Sequence, residues 1–258
     1  MTPGQYAQGR KRLFGRTAET LGDAFEGLGS WRLDDADEFF ADALPVLQGA
    51  QRSLGEMVAV RVADSKAEFE GLAPEPIDVA DEFLVGLRED VTLEDELLRP
   101  FQQVWRELHD DVPLSMAVTR GRARLEGLAD LDLQMTEASA ARVSMQAAGA
   151  AWWKRVPVGE KNCLLCLVSS TKVYHVGDLK PIHPGCDCAI EEQFTPRPDG
   201  GIHDEALLKK AYAAVKDATG TVQTSGPVIR DLLADMTVVN GEVGPMLAYP
   251  RGVKRPAA

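Results

Sequence analysis

Leu128-Ala-Asp-Leu-Asp-Leu-Gln-Met-Thr-Glu-Ala-Ser-Ala-Ala-Arg-Val-Ser-Met-Gln-Ala-Ala-Gly-Ala-Ala-Trp-Trp-Lys-Arg-Val-Pro157 is the stretch on which the fold turns. Its first part sets Leu128, Leu131, Met135, Ala138, Ala141, Met145 and Ala148 at steps of three and four, one narrow stripe of a long helix. The alanines on that stripe let a second helix approach closely. Near Ala151 the composition changes: Trp152 to Val156 reads as an extended, β-prone run and Pro157-Val-Gly159 as a turn. The stripe has two readings, core packing in a helical bundle or a surface for a neighbouring subunit.

Toward the N-terminus the pattern stays helical. Asp35 with Glu38 forms a capping pattern ahead of an apolar series through Phe40, Ala43, Leu47, Ala50, Leu54, Met57, Val58 and Phe69, with Pro45 marking a kink or a break. Gly71 and Ala73-Pro-Glu-Pro76 end that segment. Asp78 caps a short helix carrying Val79, Phe83, Leu84 and Leu87, and Thr92 with Asp95 opens another through Leu97, Phe101, Val104, Trp105 and Leu108. The first thirty residues carry Arg10, Lys11, Arg12 and Arg16 with no acid before Glu19, and read as a basic arm. Toward the C-terminus, short β-prone pieces stand at Lys172–His175 and Cys188–Ile190. Thr195 to Gly201 reads as a linker, Asp204 caps a helix, a short helix runs to about Met236, and a strand lies around Gly244–Tyr249.

The expected architecture is therefore predominantly α: a basic arm over 1–30, an elongated helical region over 31–150 with contacts to other chains, a small α+β zinc-stapled domain over 151–195, and a partly extended tail over 196–258. At 258 residues and 45% apolar content the chain is long enough to bury a core and is not a disordered tail. Its 28 basic and 40 acidic residues give a net charge of −12, so duplex nucleic acid is repelled by the molecule as a whole and any such contact is local, through the basic ends. No apolar run approaches a membrane span, and the opening Met1-Thr-Pro-Gly-Gln-Tyr6 lacks the apolar region of a secretory signal, which points to a reducing compartment.

All four cysteines fall between Cys163 and Cys188. The pattern is Cys163-Leu-Leu-Cys166, then His183-Pro-Gly-Cys186-Asp-Cys188. A Cys-x-x-Cys knuckle lets two thiolates converge on one tetrahedral ion, and a hairpin of the intervening length brings a second ligand pair to face it. Four seats and five candidates fit one structural zinc, with His183 or a further cysteine completing the set. Disulfides need an oxidising compartment, a redox dithiol needs a strand-to-helix setting this segment lacks, and inert buried thiols would not explain the clustering. A small unit with few apolar residues needs a staple, and metal binding can supply roughly 10 kcal/mol of folding free energy.

Signatures of catalysis are absent. There is no G-x-S-x-G elbow, no phosphate-binding G-x-x-x-x-G-K-[ST] loop, no H-E-x-x-H and no G-x-G-x-x-G after a strand. His183-Pro-Gly-Cys-Asp-Cys188 does not carry the zinc-deaminase pattern, and a closed four-ligand site leaves no seat for a reactive water. His109 reads as a helix-end residue, His175 as a surface or hydrogen-bonded neighbour of the site, and His203 as part of a helix start.

Asp130-Leu-Asp-Leu-Gln134, the alanine-rich helix, Trp153-Lys-Arg-Val-Pro157, Cys163-x-x-Cys166, Tyr174 and Pro181-Ile-His-Pro-Gly-Cys-Asp-Cys188 together resemble the phage Mu F-like (MuF) minor capsid or head morphogenesis proteins, particularly those of phages that infect actinobacteria. The resemblance covers about Pro113 to Glu192, with Gly241-Glu-Val-Gly-Pro-Met-Leu247 similar to a segment near the ends of such proteins. Asp187 departs from the arginine common in the family, and its place between two candidate ligands makes surface charge the property it alters. The resemblance implies a low-copy virion component, present in the host cytoplasm during assembly, bound to the portal protein and to the major capsid protein on the inner face of the head, and delivered with the genome. The competing expectation is a zinc-containing nuclease of the His-Asn-His type, for which His175-Val and the lone His203 supply no suitable histidine arrangement.

Overall fold

Tyr6, Arg10, Phe14, Thr17, Leu21 and Phe25 are all buried, at steps of four, four, three, four and four. Ala36, Phe39, Ala43, Leu47, Ala50, Leu54 and Val58 repeat the same rhythm. Eleven residues per three turns lies close to the natural period of the α-helix, so each seam runs nearly straight along its helix. The structure is a computed structural model that describes residues 1–78, 91–157, 168–179, 188–209, 213, 238–241 and 244–247. The two seams belong to α1 (Pro3–Glu26) and α2 (Leu33–Glu70), followed by α3 (Leu93–His109) and α4 (Leu114–Ala148). The chain is thus predominantly helical, and its strands are β1 (Trp152–Val156), β2 (Val173–His175), β3 (Ala189–Gln193), β4 (Val238–Gly241) and β5 (Gly244–Leu247).

Local chemistry sets the helix ends. Thr2 and Gln5 form a reciprocal cap on α1, and Thr92 with Asp95 does the same on α3. Three helices close alike: Leu72 N–H donates to Ala67 O, Val112 N–H to Glu107 O and Ala150 N–H to Met145 O, each at 2.9 Å. The residue before each donor, Gly71, Asp111 or Gly149, has positive φ. This is the left-handed helix stop, in which glycine is unstrained and aspartate is tolerated. Pro45 does not break α2, which continues from Leu33 to Glu70. One lost backbone donor is tolerated where the buried seam continues through Ala43 and Leu47 on either side.

The chain divides into two compact units, one of Met1–Arg61 and Asp78–Val143, the other of Val62–Ile77 and Ser144–Ala258. In the first unit, residues 1–30, expected as a basic arm, contain α1, whose seam joins a core with α2, α3 and α4. Phe25 sits at its centre, with ring centroids 5.1 Å from Phe101 and 5.8 Å from Phe39, both edge to face. Gly121 of α4 allows this approach, since a Cβ there would stand 2.8 Å from Val104 and 3.1 Å from the Phe25 ring. The stripe from Leu128 to Ala148 is covered by the chain itself, with Met135 half-buried and the others buried.

In the second unit the three-stranded sheet has the order β2-β1-β3, with both neighbours antiparallel to β1. Trp153 is its anchor: the ring is 2% exposed, stacks on Tyr174 at 4.9 Å, and donates from Nε1 to the His175 carbonyl at 2.9 Å. Lys154 pairs with Glu191 across the β1–β3 register at 2.7 Å. The end of α2 belongs to this unit, where Phe69 stacks on Phe194 at 5.4 Å. A separate hairpin pairs β4 with β5. The expected helices over 79–87 and up to Met236 lie outside the described residues.

Candidate metal centre

The alternation of β1 turns Trp153 and Arg155 inward and leaves Trp152, Lys154 and Val156 half-buried. Its register then fixes where the cysteine-bearing chain enters the sheet. Lys154 pairs with Val173, the first residue of β2, and Val156 pairs with Ala189, the first residue of β3. Both outer strands therefore begin at the end of the sheet where β1 finishes. Cys188 immediately precedes Ala189 and is 4% exposed. Val168, two residues after Cys166, leads into β2 at the same end.

The loop before β2 is held firmly. Val168, Ser169, Ser170 and Thr171 are buried. Thr171 Oγ1 donates to the Val168 carbonyl at 2.8 Å, and the Tyr174 hydroxyl donates to the Ser169 carbonyl at 3.0 Å. His203 Nε2 lies 2.7 Å from the Ser170 carbonyl, while its own N–H donates to the Thr171 carbonyl at 3.0 Å. Burial raises the Tyr174 hydroxyl above its ordinary pKa, against the lowering effects of its bond to Ser169 and of Arg155, so it stays a proton donor at neutral pH.

Of the five candidate ligands, Cys188 is seen, buried at the head of β3. Cys163, Cys166, His183 and Cys186 lie outside the described residues. Among the described residues no group of three or more His, Cys, Asp or Glu side chains is placed to hold a metal. The donor set fits zinc in kind, and the sheet register fits it in direction, because two of the segments that bear it meet the sheet at one end.

The other histidines have backbone roles. His175 Nδ1 accepts the Gly177 N–H at 3.1 Å and caps the short 3₁₀ turn Val176–Asp178, with its ring edge-on to Trp152. His203 secures the loop before β2. His109 is the last residue of α3, where a cation would complement the helix C-terminus.

A second polar constellation was not legible from motifs. In the first unit the Tyr6 hydroxyl donates to Glu137 Oε1 at 2.6 Å, Arg10 Nε donates to Glu137 Oε2 at 2.8 Å, and the Arg61 guanidinium lies over the Tyr6 ring at 4.8 Å. Burial and the Glu137 charge push the Tyr6 hydroxyl well above its ordinary pKa. Arg10 was counted with the basic arm; its spacing from Tyr6 and Phe14 was the signal that it belongs to the core seam.

Compared with family models, curated proteins and solved structures, the chain matches none. Among the described residues no helix is long and apolar enough to cross a membrane.

Proposed function

We propose that this chain is a structural minor component of a tailed-phage head, bound at the portal or the head interior and acting in head morphogenesis or in genome packaging and delivery, without catalytic turnover. The observation that carries the reading is Cys163-x-x-Cys166 paired with His183-Pro-Gly-Cys186-Asp-Cys188 behind a long alanine-rich helix, the combination that resembles MuF proteins. The sheet register is consistent with it: Cys188 stands at the end of β1 beside Val156, and β2 and β3 both start from that direction. Four of Cys163, Cys166, His183, Cys186 and Cys188 would hold one zinc, which when bound supplies folding free energy to a unit with a small core. The chain's own residues do the rest: Trp153, Tyr174 and the loop over 168–172 give a rigid base for the ligand-bearing segments.

The partners are protein surfaces, the portal protein first and the major capsid protein second. Most of the chain is acidic and is repelled by packaged DNA. Local attraction remains at Lys11, Arg12 and Arg16, which are exposed on α1, and at the basic C-terminal residues Arg251, Lys254 and Arg255; Arg10 is withdrawn into its pair with Glu137. The backbone roles of His175 and His203 favour scaffold over turnover.

Mass spectrometry of purified particles from the phage genome that encodes this chain tests the proposal. The chain is expected in few copies per particle, and its removal is expected to impair assembly, DNA retention or infection. Absence from the particle overturns the reading, as does a cryo-EM position on the outer capsid surface or the distal tail. Magnesium-dependent plasmid cleavage that disappears on mutation of His175 or His183, with fold and zinc content intact, favours the nuclease instead.

A further inference from the structure

From Leu128 to Ala141 every residue of α4 is buried or half-buried, so a polar side chain on this stretch has no solvent face to turn to. Asp132, Thr136 and Ser139 stand at i, i+4 and i+7, one above another on a single stripe. They are 1%, 0% and 8% exposed. One Asp132 oxygen, Oδ2, accepts from Gln51 Nε2 of α2 at 2.8 Å. Asp132 Oδ1, Thr136 Oγ1 and Ser139 Oγ have no hydrogen-bond partner among the described residues.

Such a site treats the two forms of the acid differently. A carboxylate here would carry a full charge out of water with one amide donor to support it, which is costly. A neutral carboxylic acid keeps the Gln51 bond and carries no charge into this dry site. We infer that Asp132 and Gln51 form a proton-operated clasp between α2 and α4, stable while the acid is neutral and burdened with a buried charge when it ionises.

Burial raises the carboxyl to about 7, against the lowering effect of the Gln51 amide. The charged groups nearby are engaged elsewhere. Arg10 of α1 is bound to Glu137, with Tyr6 as its second partner, and Arg61 of α2 lies over the Tyr6 ring. Asp130 on α4 accepts from Gln134, and α3 meets α4 at Arg120, Gly121 and Arg124, two turns or more before Asp132. Burial and the Gln51 amide are thus what set the Asp132 proton. Its loss near neutrality weakens a helix pair at the middle of the first unit, a property that does not depend on the reading of the cysteines.

Carbon-13 NMR of the full chain with carboxyl-labelled aspartate tests the clasp, with Asp132→Asn to assign the signal. The expected result is one carboxyl with a midpoint near 7, absent in the variant. Gln51→Leu is expected to move that midpoint higher still, since it removes the bond that favours the ionised form. The unfolding temperature of the native sequence should fall as pH rises from about 4 to about 7 and level off above, and that of Asp132→Asn should change less. A carboxyl that titrates near the ordinary value of about 3.9 overturns the clasp, and so do matching pH profiles in the native and Asn proteins. Should Asp132→Asn fail to fold, the Gln51→Leu titration decides: an upward shift supports the clasp and an unchanged midpoint overturns it.

Discussion

Replacing Glu137 with Ala should be among the most damaging single changes in the first unit. The side chain is 3% exposed and joins α4 to α1 through two bonds, from the Tyr6 hydroxyl at 2.6 Å and from Arg10 Nε at 2.8 Å. Its removal leaves a guanidinium 6% exposed without its carboxylate, in a place that water does not readily reach. Arginine cannot escape by losing its proton, and Glu137 holds its pKa above even the usual value against the lowering effect of burial. Breaking one side of a buried pair costs about 3–5 kcal/mol, and the stranded Tyr6 hydroxyl adds to it. Set against a typical domain stability of about 5–15 kcal/mol, that is a fifth or more of the total. Urea unfolding followed by circular dichroism measures it, and an unchanged slope with denaturant would show that the native state rather than the unfolded ensemble has changed. Tyr6→Phe alone should cost about 1–3 kcal/mol. The triple change Tyr6→Phe, Arg10→Met, Glu137→Leu should recover most of the loss, because an apolar set of similar volume needs no desolvated charge. A Glu137→Ala protein within about 1 kcal/mol of the native one, or a triple variant worse than Glu137→Ala, would refute the reasoning.

Gly121→Ala places a Cβ 2.8 Å from Val104 and 3.1 Å from the Phe25 ring, so a net loss of about 1–2 kcal/mol is expected despite the better helix propensity of alanine; an unchanged or higher unfolding temperature would show that α4 does not approach α1 and α3 so closely. Asp132→Asn should stabilise the chain on the alkaline side: a carboxyl raised from 3.8 to about 7 contributes its full stability below the unfolded value and loses it as pH rises through the folded one. The difference builds up between about pH 4 and 7 and reaches about 4 kcal/mol above neutrality, and denaturant titrations from below pH 4 to above pH 7 would measure it. Cys163→Ser should loosen residues from about Trp152 to Glu192 while leaving α1 to α3 intact, and hydrogen exchange by region would register a global loss instead as a contradiction.

Helices α2, α3 and α4 were legible because their seams repeat, whereas α1 was hidden behind the basic residues of its exposed face. Steps of three and four across Leu47, Ala50 and Leu54, and the Thr92–Asp95 cap, marked α2 and α3 within a residue or two of their ends. The strands followed from Trp152–Val156 and Lys172–His175, whose residue types suit a half-buried surface. What the sequence hid is non-local. Asp132, Thr136 and Glu137 sit among leucines and alanines with nothing to mark them as buried, because their burial depends on α1 and α2 covering the other faces of α4. Arg10 looked solvated for the same reason: one basic residue in a run of four points inward, and only the partner Glu137, far along the chain, makes that tolerable. The cysteines were legible by spacing alone. The place of Cys188 at the end of β1 was not, since register is set by pairing between distant strands.

One claim carries the second unit: four of Cys163, Cys166, His183, Cys186 and Cys188 hold a single metal ion. Native mass spectrometry of the full chain, purified without added metal and kept from oxidants, tests it most directly. The account predicts one zinc per chain, retained in the folded protein and lost together with local structure on chelation or in Cys163→Ser. A folded chain that carries no metal, with its four cysteines paired as disulfides or all reactive as free thiols, would contradict it.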